Sequence, residues 1–243
     1  MTFELEVIAF DLLSCKLAER AGAHRIELCA NPFEGGTTPS LGMIRMARKS
    51  THLSLFPIIR PRGGDFLYDR NECYSMMEDI KISREEGCDG VVIGMLKADG
   101  TIDADACHEL MHHAKGMDVT FHRAFDRVID QFSALNTIIQ LGCKRILTSG
   151  GYPTALEGKE PLKKLIEASG DQITIMIGSG ITSSNIKILH DYTRARAFHA
   201  SARTILNSAM NFNASTMQEK LEKISINEEE VRMLRKTLDE IFI

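Results

Sequence analysis

The stretch "ERAGAHRIEL" (residues 19–28) decides how this chain is read. A charged helix end reaches Gly22, and two residues later an alternating apolar run begins. Glycine after a last helical turn takes the left-handed backbone that stops a helix. A strand that follows at once makes a helix-to-strand handover. The same pattern recurs in "REEGCDGVV" (84–92) and "IQLGCKRIL" (139–147). Repetition of that handover describes successive βα units on a parallel sheet.

Working outward, strands are expected at 3–9, 24–29, 54–61, 90–94, 118–123, 145–149, 173–178 and 197–201. Helical periodicity fills 11–22, 40–50, 71–87, 103–116, 130–142, 158–169 and 182–191. Eight strands without a linker or composition break predict an α/β fold of one domain, a (β/α)8 TIM barrel. An open doubly wound sheet is the alternative, but its G-x-G-x-x-G after the first strand is absent. Residues from about 207 to 243 are expected as a C-terminal helical segment. Within it Asn227 is the N-cap, and Val231, Leu234, Leu238 and Ile241 share one face. That face is expected to pack on the barrel or at a subunit interface.

The 243 residues are 44% hydrophobic and 26% charged, with a net charge of -4. That balance gives no attraction to nucleic acid or to an anionic membrane surface. No apolar run approaches the roughly 20 residues of a membrane helix, and "MTFELEVIAFD" (1–11) lacks a basic-then-apolar signal pattern. A cytoplasmic location is expected. The six cysteines form no C-x-x-C pair and are expected as free thiols.

Barrel enzymes work at the C-terminal ends of their strands, and strand parity says which side chains reach the interior. With Leu5 and Val7 facing the helices, Glu6 turns inward. Ile26 and Leu28 facing out leave Arg25, Glu27 and Cys29 inside. Arg60 and Arg62 share a face at the end of the third strand. His122 faces in on the fifth, as do His199 and Ser201 on the eighth. Glu6, Glu27, Arg60, His122 and His199 are therefore the candidate catalytic residues, converging on one mouth. A structural ion-pair network is the competing reading. Barrel interiors are normally aliphatic, and clustered ionisable groups favour a site.

"TSGG" (148–151), "IGSGI" (177–181) and "HASAR" (199–203) leave the sixth, seventh and eighth strands. Barrels hold phosphates there on backbone N–H groups. Ser149, Gly150, Gly178, Gly180, Ser201 and Arg203 are the candidate anion-binding residues, for a small-molecule anion.

"HELMH" (108–112) matches the H-E-x-x-H pattern of zinc peptidases. It lies in the helix after the fourth strand, hence in the outer ring, with no third ligand following. His108, Glu109 and His112 are read as a solvated helix face, with Leu110 and Met111 turned to the sheet.

The segments "RIELCANPFEGGTTPSLG" (25–42), "IIRPRGGDFLYD" (58–69), "TFHRAFD" (120–126), "RILTSGG" (145–151), "IMIGSGI" (175–181) and "FHASAR" (198–203) resemble the copper-homeostasis CutC family. The resemblance implies a cytoplasmic TIM barrel, often a homo-oligomer, linked to copper handling and Cu(I) binding. The family's motif cysteine corresponds to Cys29, the candidate metal ligand, with His122 or His199 beside it. Three functions stay open: copper homeostasis with Cu(I) as metal, an isomerase or enolising enzyme on a phosphorylated or carboxylated metabolite, and a non-catalytic assembly partner. In the enzyme, Glu27 or Glu6 is the base, His122 or His199 the acid, and Arg60 the anion holder.

Overall fold

Leu5, Val7 and Ala9 of β1 (Glu4–Ala9) pack outward against the helices, while Ile8 joins an inner apolar cluster and Glu6 turns to the axis. This strand sits centrally in a computed structural model that describes residues 3–218 and 221–242. Around it run β2 (Arg25–Leu28), β3 (Ser54–Pro57), β4 (Gly90–Ile93), β5 (Asp118–Phe121), β6 (Arg145–Thr148), β7 (Thr174–Ile177) and β8 (Ala197–Ala200). They are parallel, in the order β3-β2-β1-β8-β7-β6-β5-β4. Just past the end of β3, the chain closes the ring onto β4 through a bridge between Ile58 and Val92 and an Ile59 N–H to Val92 carbonyl bond of 2.8 Å. The barrel expected from the βα punctuation is the fold observed.

The connecting helices are α1 (Leu12–Arg20), α2 (Leu41–Ser50), α3 (Arg70–Glu85), α4 (Ala104–His113), α5 (Gln131–Leu141), α6 (Lys159–Ser169) and α7 (Ile186–Thr193). The first five start on side-chain caps: Asp11, Ser40, Asp69, Asp103 and Asp130 each accept from a first-turn N–H. Gly22, Gly87 and Gly142, the punctuation glycines, all take positive φ, between 77° and 86°.

The C-terminal segment departs from expectation. Its helix, α8 (Glu228–Ile241), is capped by Asn227 and buries Val231, Leu234 and Leu238 against α1 and α7. It is preceded not by more helix but by an antiparallel hairpin, β9 (Arg203–Leu206) with β10 (Lys223–Ile226). The short β-branched runs "RTIL" and "KISI" find their acceptors in each other, which outweighs any helical preference. Residues 219, 220 and 243 of the expected segment lie outside the described residues.

Candidate functional site at the barrel mouth

Register places Glu6 opposite Arg25 of β2 on one side and His199 of β8 on the other. All three side chains are buried and turned to the axis. Arg25 Nε donates to Glu6 Oε2 at 2.5 Å, its Nη2 to Thr120 Oγ1 at 3.2 Å, and its guanidinium stacks 3.4 Å above the Phe56 ring. This plug forms the floor. Above it, His199 Nδ1 lies 2.6 Å from Glu6 Oε1, and His199 Nε2 lies 3.8 Å from Glu27 Oε2. His199 thus contacts both carboxylates, and the three groups form one compact cluster.

Their electrostatics differ although the three touch. Burial works to raise the Glu6 carboxyl, but Arg25 and His199 outweigh it and hold it at about 2. Glu27 has no such guanidinium bond. Burial pushes it up to about 7, with His199 pulling it down and Glu6 pushing it further up. His199 is opposed by burial too, yet its bond to Glu6 and the charge of Glu27 leave it raised. Two carboxyls with separated affinities flank one imidazole, the pattern that assigns acid and base roles.

Walls rise from this floor around a cavity of about 350 Å³, lined by Glu27, Arg60, His122, Arg123, His199 and Arg203 among others. Arg60 is buried, its guanidinium held by the carbonyls of Glu34, Gly36 and Gly64 at 2.6–2.9 Å. His122 Nδ1 accepts from the Ala124 N–H at 3.1 Å. Burial and the nearby Arg60 charge push its imidazole down to about 3, so it is neutral. Arg62 does not join them. It turns outward to Glu72 and Asp65.

The anion candidates divide. Gly180, Ser201 and Arg203 line the cavity. Ser149 and Gly150 do not: the Ser149 N–H, Ser149 Oγ and Gly151 N–H all bond the Asp126 carboxylate at 3.0–3.2 Å, and the Gly150 N–H goes to Thr148 Oγ1. That nest already holds a carboxylate from its own chain. The Gly178 N–H bonds the Thr148 carbonyl, and a Cβ there would strike Leu147. Beyond β7, the N–H and Oγ of Ser183 are likewise taken by Glu230 of α8 at 2.7 and 2.9 Å.

Sequence reasoning missed Arg123 and Phe66. Arg123 donates to Asp126 at 2.7 Å and reaches Ser179 and Ser149. It follows β5 inside a 3-10 turn (Arg123–Arg127), where strand parity no longer applies. Phe66 comes from the irregular loop between β3 and α3, which carries no periodicity at all.

Cys29 is buried, packed with Ile8, Phe56, Ile58 and Val92 beside the mouth. All six cysteines are buried and free. His108 and His112 are exposed on α4, and Glu109 pairs with Arg70 at 2.9 Å, so "HELMH" stands on the outer ring, away from the mouth. Leu110 faces the sheet. Among the described residues the one His/Cys/Asp/Glu group spaced for a metal is Glu6, Glu27 and His199, and no helix is long and apolar enough to cross a membrane.

Comparison with known proteins agrees with this architecture. A copper homeostasis protein cutC homolog of Homo sapiens is 45% identical over 215 residues, covering 88% of this chain and 79% of that protein. A family protein CutC of Chromobacterium violaceum is 43% identical over 242 residues, covering 97% and 98%. The crystal structure of CutC from Streptococcus agalactiae superposes with a TM-score of 0.79 at 33% identity, covering 82% of this chain and 99% of that one. A thiamine phosphate pyrophosphorylase from Pyrococcus furiosus shares the fold alone, at 16% identity and a TM-score of 0.62. The model of the CutC family matches residues 3–204, from β1 through the start of β9, and the chain belongs to that family.

Proposed function

We propose that this protein is an acid–base enzyme that moves a proton on a small anionic metabolite bound at the barrel mouth. The observation that carries this reading is the buried cluster of Glu6, His199 and Glu27. Glu6 fixes the imidazole at 2.6 Å, and Glu27 faces the cavity as a carboxyl that exchanges its proton near neutrality. Glu27 serves as the base and His199 returns the proton, because a catalytic group works best with a proton affinity close to the working pH. Arg60, Arg123 and Arg203 line the cavity and supply positive charge, which suits a substrate whose negative charge grows in the transition state. Enolisation or isomerisation needs no more than this. The supporting context is a cavity of about 350 Å³, within the span of small-molecule sites.

The relatives' names connect the family with copper homeostasis. Cu(I) takes thiolate, thioether and imidazole ligands. Burial and then the charge of Glu27 raise the Cys29 thiol well above its ordinary value, so without a metal the group is a protonated thiol. None of the cavity-lining residues is a methionine. The group spaced for a metal among the described residues, Glu6, Glu27 and His199, offers two carboxylates to one imidazole, an oxygen-rich set that does not fit a resident Cu(I).

The test is thermal unfolding against a panel of carboxylated and phosphorylated metabolites, followed by proton NMR of each stabilising compound in D2O with the protein. The expected result is stabilisation by at least one small anion and enzyme-dependent loss of a carbon-bound proton signal, absent in Glu27→Gln. Exchange that persists in Glu27→Gln would remove the proposed base.

A further inference from the structure

Two buried N–H groups at the mouth have no acceptor: Arg60 Nε and His122 Nε2. The identity of the second is settled by its neighbour. His122 Nδ1 accepts from the Ala124 N–H, so the proton of the neutral ring sits on Nε2. Arg60 Nη1 and Nη2 bond main-chain carbonyls and the guanidinium also interacts with the Tyr68 hydroxyl, so none of these partners is a carboxylate. A buried cation without a carboxylate and a buried N–H without an acceptor are both costly, and proteins seldom keep them without a use.

One side chain covers both. The Phe66 ring centroid lies 4.9 Å from that of His122 and 5.0 Å from Arg60 Cζ. The ring's negative face partly offsets the Arg60 charge. Phe66 also lines two spaces: the mouth cavity, and a second cavity of about 520 Å³ lined by Gly64, Leu67, Leu96 and Arg127 among others. Its backbone is pinned, since the Leu96 N–H donates to the Phe66 carbonyl at 2.9 Å. The ring can therefore leave by a change of rotamer into the neighbouring space, without the loop opening.

We propose that Arg60 Nε and His122 Nε2 form a carboxylate subsite, covered by Phe66 until a ligand turns the ring aside. This deepens the acid–base reading by naming the substrate class: a small carboxylic acid whose carboxylate takes these two donors. The slot that a phenyl ring vacates is flat, which suits a planar carboxylate better than a tetrahedral phosphate. A neutral imidazole and a fixed guanidinium edge would also stabilise the enediolate formed when the adjacent carbon loses its proton to Glu27, the electrons moving onto the carboxylate oxygens and the proton onto Glu27.

Oxalate, a planar dicarboxylate, is the probe. It is titrated into protein carrying nitrogen-15 in its histidines, with calorimetry in parallel and inorganic phosphate as the tetrahedral comparison. Oxalate is expected to bind, to shift the His122 Nε2 resonance saturably, and to bind more tightly than phosphate. His122→Phe is expected to lose about tenfold or more in oxalate affinity, the loss of one hydrogen bond to a charged group. His122→Gln, which keeps an N–H near the same place, is expected to retain most of it. Phe66→Ala is expected to bind oxalate more tightly, because no cover has to be displaced. An unmoved His122 resonance, no oxalate binding at millimolar concentration, or phosphate binding as tightly would each overturn the assignment. The wild-type resonance decides even if a variant fails to fold. Oxalate docking at His122 with no deuterium exchange in any metabolite would leave the subsite standing and remove the acid–base reading. Exchange without a His122 response would do the reverse.

Discussion

Glu6 on β1 and His199 on β8 are register partners in the parallel ladder, and their side chains meet at 2.6 Å with Arg25 on the other carboxylate oxygen at 2.5 Å. One carboxylate thus anchors the plug below it and orients the imidazole above it.

Glu6→Gln is therefore expected to cost far more than a surface change. It strips the buried Arg25 of its carboxylate partner, and breaking one side of a buried pair costs about 3–5 kcal/mol. Urea unfolding should show a lower midpoint with the denaturant slope unchanged. A loss below about 1 kcal/mol, the range of an exposed pair, would mean that the plug holds little.

Glu27 predicts an unusual pH profile. Its carboxyl is raised from the ordinary 4.5 to about 7. Between those values the folded state binds the extra proton, so this group's contribution to stability falls as pH rises. Glu27→Gln should remove that fall and be the more stable protein at pH 8. Melting temperatures of the two proteins across this range check it, and parallel curves would refute it.

His122 acts in the opposite direction. Its imidazole is pushed down from 6.5 to about 3 by burial and Arg60, so the unfolded chain binds the proton between those values. Stability is full above pH 6.5 and drains as pH falls, by up to about 1.4 kcal/mol per pH unit for one proton. His122→Gln should flatten this limb in urea unfolding between pH 4 and 6.5. An unchanged slope would place the titrating group elsewhere.

Asp126 holds the loop after β6 through the N–H groups of Ser149 and Gly151. Asp126→Ala should release both amides, raising their hydrogen-exchange rates by about tenfold or more. Amides in β1 should be unaffected. Equal protection in the variant would show that the loop holds itself.

Copper gives a prediction about Cys29. Cys29 is packed among Ile8, Phe56 and Ile58 with no methionine among the cavity-lining residues, so Cys29→Ser should leave anaerobic Cu(I) titrations unchanged. A stoichiometric site lost in that variant would restore the copper ligand.

Most of the barrel was legible because glycine punctuation and strand parity are local. Gly22 stops α1 whatever lies around it, and Leu5 and Val7 facing out force Glu6 in. Parity likewise placed Arg25, Glu27, Cys29, His122 and His199 on the axis. It failed where strands end. Arg62 swings out to Glu72, Arg123 swings in from a 3-10 turn, and the small residues 148–151 turned out to hold Asp126. The hairpin of β9 with β10 was invisible, since its partners lie about 20 residues apart and each run is too short for a periodic signal.

The central claim is that Glu27, set beside an anchored imidazole, removes a proton from an anion held at the mouth. The most direct measurement is deuterium incorporation from D2O into a stabilising carboxylate, followed by proton NMR with wild type and Glu27→Gln side by side. Incorporation by wild type and none above background by the variant is the predicted result. Equal incorporation by both proteins, or none by wild type into any compound that stabilises it, would contradict the account.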